Sequence, residues 1–361
     1  MRALVLLFAA TAFAGCSSGD SSPGDPIVVP PPINDPVFVY RGLEGQTVVA
    51  LAQTDTSVLA GTTRGIYRYD GGTDWTLTTP ADWSVTALEA LNPTRLLAAV
   101  DVSGTERHIV ESLDAGNTWN VVQNDFGGSL LQPREPVFRM AFDESSGELL
   151  ATGYGALARS ADFGRTWTVL NGQWGVVSTG LSALSKADLR GDIWYGGQGA
   201  LEDPVLIRYS PNSGQSVNLS AAIETILPRP STVESIRFYP TAEDIVFVVG
   251  EGGIAVSSDY GANWRASLTN TRARFYFDLI IDEPTGAVYS AGWDKNFTDP
   301  QPLILDISLN GGQSWQSYQH DDSSILGGVW SMRLVDLNDR RRLFLGLQGG
   351  GVYEVDLDAM D

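Results

Sequence analysis

Apolar and polar residues along this chain fall into short runs of roughly four to eight residues, each ended by Gly, Pro, Asn, Asp or Ser. The stretch from 233 to 268 shows the pattern best. There Val233 to Tyr239, Ile245 to Val249, Ile254 to Ser257 and Trp264 to Leu268 each read as a strand. No window sustains the 3.6-residue period of a convincing amphipathic helix. The 39 glycines and 18 prolines suit tight turns better than long helices. The pattern predicts an all-β protein.

The runs are organised by a repeated phrase. Ser112, Asp114, Gly116, Thr118 and Trp119 set its spacing, and Ser160, Asp162, Gly164, Thr166 and Trp167 repeat it. It returns as Ser257, Asp259, Gly261, Asn263 and Trp264, and again as Ser308, Asn310, Gly312, Ser314 and Trp315. Weaker copies keep Asp70, Gly72 and Trp75, or Ser210, Asn212 and Gly214 with Val217 where the ring belongs. A last unit is marked by Gly351 to Asp356, which matches Gly65 to Asp70. Seven units result, spaced 44 to 51 residues apart. Four short strands per unit at this period predict a seven-bladed β-propeller of four-stranded antiparallel blades over 37–361. The seventh unit supplies only three strands, so Val37 to Arg41 is expected to add the fourth and close the ring, leaving no open sheet ends.

Each phrase falls where a third strand turns into a fourth. Glycine permits the positive φ of such a turn, the acid or amide accepts backbone N–H groups, and the indole wedges against the sheet. These residues are therefore expected to be scaffold and not catalytic groups. The phrase resembles the Asp-box, or BNR repeat, of bacterial sialidases, xyloglucanases, sortilin-type receptors and photosystem II assembly factors of the Ycf48 type. The resemblance spans roughly residues 40–358. Seven units in one domain look most like the Ycf48-type proteins, which implies a role in assembly through protein contacts.

The other end of the chain speaks to cellular address. Arg2 followed by the apolar run Ala3 to Ala14 reads as an export signal over 1–15, too short to span a bilayer. Phe13 to Cys16 resembles a bacterial lipobox, and Cys16 is the only cysteine, so lipidation there is expected and disulfides are excluded. Ser17 after it implies transfer to the outer membrane by the same resemblance. Residues 16–36 are rich in Ser, Gly, Asp and Pro and read as a disordered tether, reaching about 60 Å at ~3 Å per residue. The lipid anchor alone is expected to hold the protein at a membrane.

A formal charge of −20 opposes binding to phosphate backbones, so no nucleic-acid partner is expected. With two distant histidines, His108 and His320, neither a metal site nor a cofactor is expected. A site belongs on the face formed by blade-to-blade loops and by second-to-third strand connections. Trp174, Trp293 and Phe297 lie in those loops as candidate binding anchors. Arg139, Arg237 and Arg333 lie on expected inner strands, with Arg274 at the start of another, where they would crowd the axis. Phe138 to Met140 faintly resembles the sialidase Phe-Arg-Ile-Pro signature without its proline, and sialidases hold a carboxylate with three arginines. Pairing with Asp143, Asp278 and Asp336 is the plainer expectation.

Two functions follow. One is a non-catalytic lipoprotein scaffold that docks an envelope protein partner on its loop face. The alternative is an extracytoplasmic glycoside hydrolase or carbohydrate-binding propeller with a glycan ligand. Hydrolysis needs two carboxylates about 5–9.5 Å apart, for which Asp101, Glu111, Asp125, Asp294, Asp321 and Asp322 are the loop candidates.

Overall fold

The computed structural model describes residues 35–102, 106–128, 134–176, 180–269, 274–294, 299–321, 325 and 327–360. The export signal, Cys16, most of the expected tether and Phe297 lie outside them. Twenty-eight strands, numbered in chain order, form seven four-stranded sheets. They are β2–β5 (48–77), β6–β9 (83–122), β10–β13 (139–172), β14–β17 (180–218), β18–β21 (233–269) and β22–β25 (275–320). The seventh joins β26–β28 (329–356) to β1 (Phe38–Gly42). Every ladder is antiparallel, and each of the first six blades is a simple meander from axis to rim. The fold is a seven-bladed β-propeller.

Closure follows the expected route. Phe38, Val39 and Tyr40 pair with Val355, Glu354 and Tyr353 of β28. Arg41 then binds Glu354 at 2.7 Å, linking residues 313 apart in sequence. The carbonyl of Arg41 accepts the indole N–H of Trp75 at 2.7 Å, so the closing strand is also fastened to the first blade.

The core is seven apolar clusters, one between each pair of successive blades. Val48, Leu51, Tyr69, Leu337 and Phe344, for example, fill the seam between the last blade and the first. Burying each such side chain contributes about 1.5–3 kcal/mol. The phrase tryptophans sit in these seams. Trp75, Trp119, Trp167, Trp264 and Trp315 each pack with residues of the blade before their own. Where a unit lacks the indole, tyrosines take the space. Tyr195 and Tyr209 fill the third seam, and Tyr289, Tyr318 and Tyr353 fill the sixth.

The phrase itself is a hydrogen-bonded corner. At Asp162, Oδ1 accepts the Ser160 hydroxyl and the N–H groups of Arg165 and Thr166, while Oδ2 accepts the Thr166 hydroxyl. The Ser160 hydroxyl oxygen accepts the Gly164 N–H at 2.8 Å. Asp114 makes the same pattern, Asp259 makes it with the Asn263 amide in place of the hydroxyl, and Asn310 keeps the Oδ1 contacts while its amide donates to the Ser314 hydroxyl. Asp70 differs: it accepts the Ser57 hydroxyl and pairs with Arg68, reaching a neighbouring loop instead of bracing its own turn. Asn212 differs more, since its hairpin closes through Gly214 N–H to the Ser210 carbonyl and its side chain makes no hydrogen bond among the described residues.

One element departs from the all-strand expectation. Within the connection from Leu219 to Thr232, Ser220–Ile226 form a short helix, α1. Seven residues are too few to be stable alone. Ile223 and Leu227 bury themselves with Trp194 and Tyr260, and that packing holds the turns. Among the described residues, no helix is long and apolar enough to cross a membrane.

Candidate functional site

In this topology the blade-to-blade and second-to-third connections gather at one end of the ring, and the phrase corners lie at the other. Between them, around the axis, is a cavity of about 560 Å³ lined by inner-strand residues. Its lining is made by a repeated irregularity. In six inner strands the ladder slips at the same place: Val48/Ala50, Val85/Ala87, Gly180/Ala183, Val233/Ser235, Tyr276/Leu279 and Val329/Ser331. Seven of the eight residues skipped by those slips line the cavity, Val49, Thr86, Ser182, Glu234, Phe277, Asp278 and Trp330, while Leu181 packs in the core. A bulge re-aims a side chain without ending the strand, which is how seven strands can present unmatched groups to one axis.

Arg139, Arg237 and Arg333 all reach this cavity. Arg237 is fully engaged: Nη2 donates to Asp278 Oδ1 at 2.7 Å, Nε to the Leu279 carbonyl and Nη1 to the Ile236 carbonyl. Asp278 also accepts the Ser235 hydroxyl and the N–H groups of Leu279 and Met332. Arg139 donates Nε to the Ser182 carbonyl at 3.1 Å and Nη2 to the Glu234 carbonyl at 3.4 Å. Burial pushes its guanidinium down. Arg333 is exposed to the cavity and makes no hydrogen bond or ion pair among the described residues. Of the expected pairings only Arg237 with Asp278 forms. Asp143 binds Lys186 instead, because both project from neighbouring inner strands.

Two glutamates that the sequence pattern did not single out complete the site. Glu89 accepts the Phe142 N–H at 3.1 Å, and Glu234 accepts the Thr232 hydroxyl at 3.0 Å. Burial pushes both carboxyls up, against the lowering pull of nearby arginines and hydrogen bonds. For Glu89 the arginines concerned are Arg333, Arg139 and Arg237, so all three guanidiniums act on one point. The available signal was an acid placed within an inner strand, in Val85 to Ala90 and again in Val233 to Phe238.

The aromatic anchors sit differently from the sequence expectation. Trp293 is 2% exposed, held between Phe275 and Gly328, so it offers no ring to solvent. Trp174 is half-buried against Phe126, with ring centroids 4.8 Å apart. Trp330, one of the slipped residues, is the indole that lines the axial cavity, tilted against Phe277 with ring centroids 5.2 Å apart. Most loop acids have structural partners. Glu111 binds Arg95 and Arg165, Asp101 binds Arg107, and Asp294 binds Arg274. Asp125 accepts the Trp167 N–H. Asp321 is exposed and Asp322 lies outside the described residues. His108 contacts Glu106, and His320 stacks on Phe38. Among the described residues no group of three metal-ligating side chains comes together.

No protein-family model matches the chain, and no curated protein matches it by sequence. Solved structures do share its shape. A GH74 xyloglucanase from Xanthomonas campestris superposes with a TM-score of 0.64 at 14% identity, over 88% of this chain and 53% of that one. The chain thus spans about half the length of that enzyme. A chain of the mitotic checkpoint complex gives 0.63 at 12% identity, over 94% of this chain and 99% of that one. The computationally designed Ika8 protein gives 0.52 at 14%, over 86% and 96%. At such identities the likeness is one of fold, and these three proteins do unrelated things.

Proposed function

We propose that this protein is a membrane-tethered, non-catalytic binding propeller that receives an envelope protein partner on its long-loop face. The observation that carries the reading is the division of labour between the two ends of the ring. At one end Asp114, Asp162, Asp259 and Asn310 are used up in bracing turns. At the other lie the long connections, including the one that carries α1. A rigid closed ring with one elaborated face is a platform for docking. The Asp-box resemblance, and the Ycf48-type layout within it, favour assembly work, and Cys16 with its proline-bearing tether would keep the platform near a membrane.

The test is cross-linking in the native envelope followed by mapping of the linked residues. Links to a single partner through the 199–203, 219–232 and 294–302 connections support docking. Links scattered over the phrase corners, or links that persist after replacement of those connections by short turns, overturn it. Metabolic labelling with a fatty acid, lost in Cys16→Ser, tests the anchor.

A glycoside hydrolase is the second reading. It is favoured by the xyloglucanase likeness and by Glu89 and Glu234, two carboxyls pushed up in one cavity, as a general acid requires. Turnover of a polysaccharide by the purified protein, abolished in both Glu89→Gln and Glu234→Gln, would replace the first reading with this one.

A further inference from the structure

We infer that the axial cavity binds a small zwitterion, an α-amino acid or dipeptide with an apolar side chain. This ligand is separate from the protein partner proposed above and does not depend on it. The argument rests on which charges in the cavity are already matched. Arg237 is paired with Asp278, and Lys186 with Asp143. Two cations that form no ion pair among the described residues remain, Arg139 and Arg333, together with three carboxyls that form none, Glu89, Asp188 and Glu234.

The unmatched groups have free hydrogen-bonding capacity. Arg333 makes no hydrogen bond among the described residues, and Arg139 keeps Nη1 unengaged. The buried Nε1 of Trp330 has no acceptor. These donors suit a carboxylate, and a guanidinium binds one with two parallel hydrogen bonds. Glu89 accepts one N–H, from Phe142, and Glu234 the Thr232 hydroxyl, which leaves lone pairs on both carboxyls open to a further donor. An ammonium group supplies what they lack. Phe277 and Trp330 form an apolar wall on the same lining, suited to a side chain. At about 560 Å³ the cavity is of a size that holds small molecules.

Charge balance selects among ligand classes. A plain anion would meet three carboxyls, and a plain cation would meet the guanidiniums. Only a molecule carrying both signs finds a partner for each.

The test is titration calorimetry on the full chain in detergent, with phenylalanine, leucine and the dipeptide Leu-Phe as probes. Phenylalanine amide, which is only a cation, and N-acetylphenylalanine, which is only an anion, serve as blocked controls. The expected result is saturable binding of at least one free probe, with either blocked form about tenfold or more weaker. Arg333→Gln is expected to weaken binding by a similar factor, Arg333→Lys to recover part of it, and Arg159→Gln, exposed on a third strand, to leave it unchanged. Melting of each variant without ligand separates loss of site from loss of fold. No binding of any free probe at millimolar concentration overturns the inference. Equal binding of N-acetylphenylalanine, or full binding by a folded Arg333→Gln, overturns it as well.

Discussion

Gly116 approaches Leu59 of the preceding blade so closely that a Cβ at 116 would collide with the leucine side chain. The same relationship joins Gly261 to Trp194 and Gly312 to Phe247. In these three phrases the glycine therefore does two things. It takes the positive φ of the corner, 84° at Gly116, and it lets the corner seat against the neighbouring blade.

Gly116→Ala is expected to destabilise the protein by about 2–4 kcal/mol, combining overpacking with backbone strain. Gly45→Ala is the control. Gly45 has φ 73°, but a methyl group there would meet no atom within 4 Å, so only strain of about 1 kcal/mol applies. Urea unfolding of both variants measures the difference.

Asp162 tests whether the phrase acid is a structural acceptor. Asp162→Ala removes bonds to four donors and is expected to cost about 1–2 kcal/mol at pH 7. Asp162→Asn is expected to cost less, because Asn310 braces the equivalent corner with an amide. Burial pushes the Asp162 carboxyl up, but the hydrogen bonds from Thr166, Ser160 and Arg165 outweigh it and hold the group below the usual range. Its stabilisation is therefore complete above the unfolded carboxylate pKa, about 4, and fades as pH falls through the lower folded value. The gap between wild type and Asp162→Ala should close in acid, as followed by melting temperature against pH.

Glu89 should behave in the opposite sense. Burial raises its carboxyl in the folded protein, so stability is lost as pH rises from the unfolded pKa through the folded one. Glu89→Gln is expected to raise the melting temperature at pH 7 and to leave it unchanged at pH 4.

The closing strand makes the ring a single cooperative structure. Removal of residues 1–42 takes away β1, leaves Glu354 without Arg41 and strips the Trp75 indole of its acceptor. A markedly lower melting temperature is expected, with dimers or larger species in size-exclusion chromatography as β28 becomes an open edge.

Much of this architecture is written in the chain because each blade writes it again. The acid, the glycine and the indole recur at fixed offsets, so Asp114, Asp162, Asp259 and Asn310 announce four corners of one design, and the spacing between them counts the blades. The missing strand of the last unit and the surplus strand Val37 to Arg41 are both visible in sequence, which makes closure predictable. Local hydrogen bonding explains this legibility, since every partner of such a corner lies within a few residues.

The axial site was not legible, and the reason is geometric. Arg139, Arg237 and Arg333 could be placed near the axis by alternation, but the ladder slips decide which side chains face it, and a slip depends on how seven strands crowd together. Glu89, Glu234 and Trp330 entered the site that way. Trp293 left the surface because Gly328 and Phe275, distant in sequence, close over it. Asn212 fell out of the pattern because, with Val217 in place of the indole, its hairpin closes through Gly214 instead. The sequence determined the number, order and closure of the blades through contacts among near neighbours. Only the tertiary structure decided which charges meet at the centre, because that depends on packing among all seven blades at once.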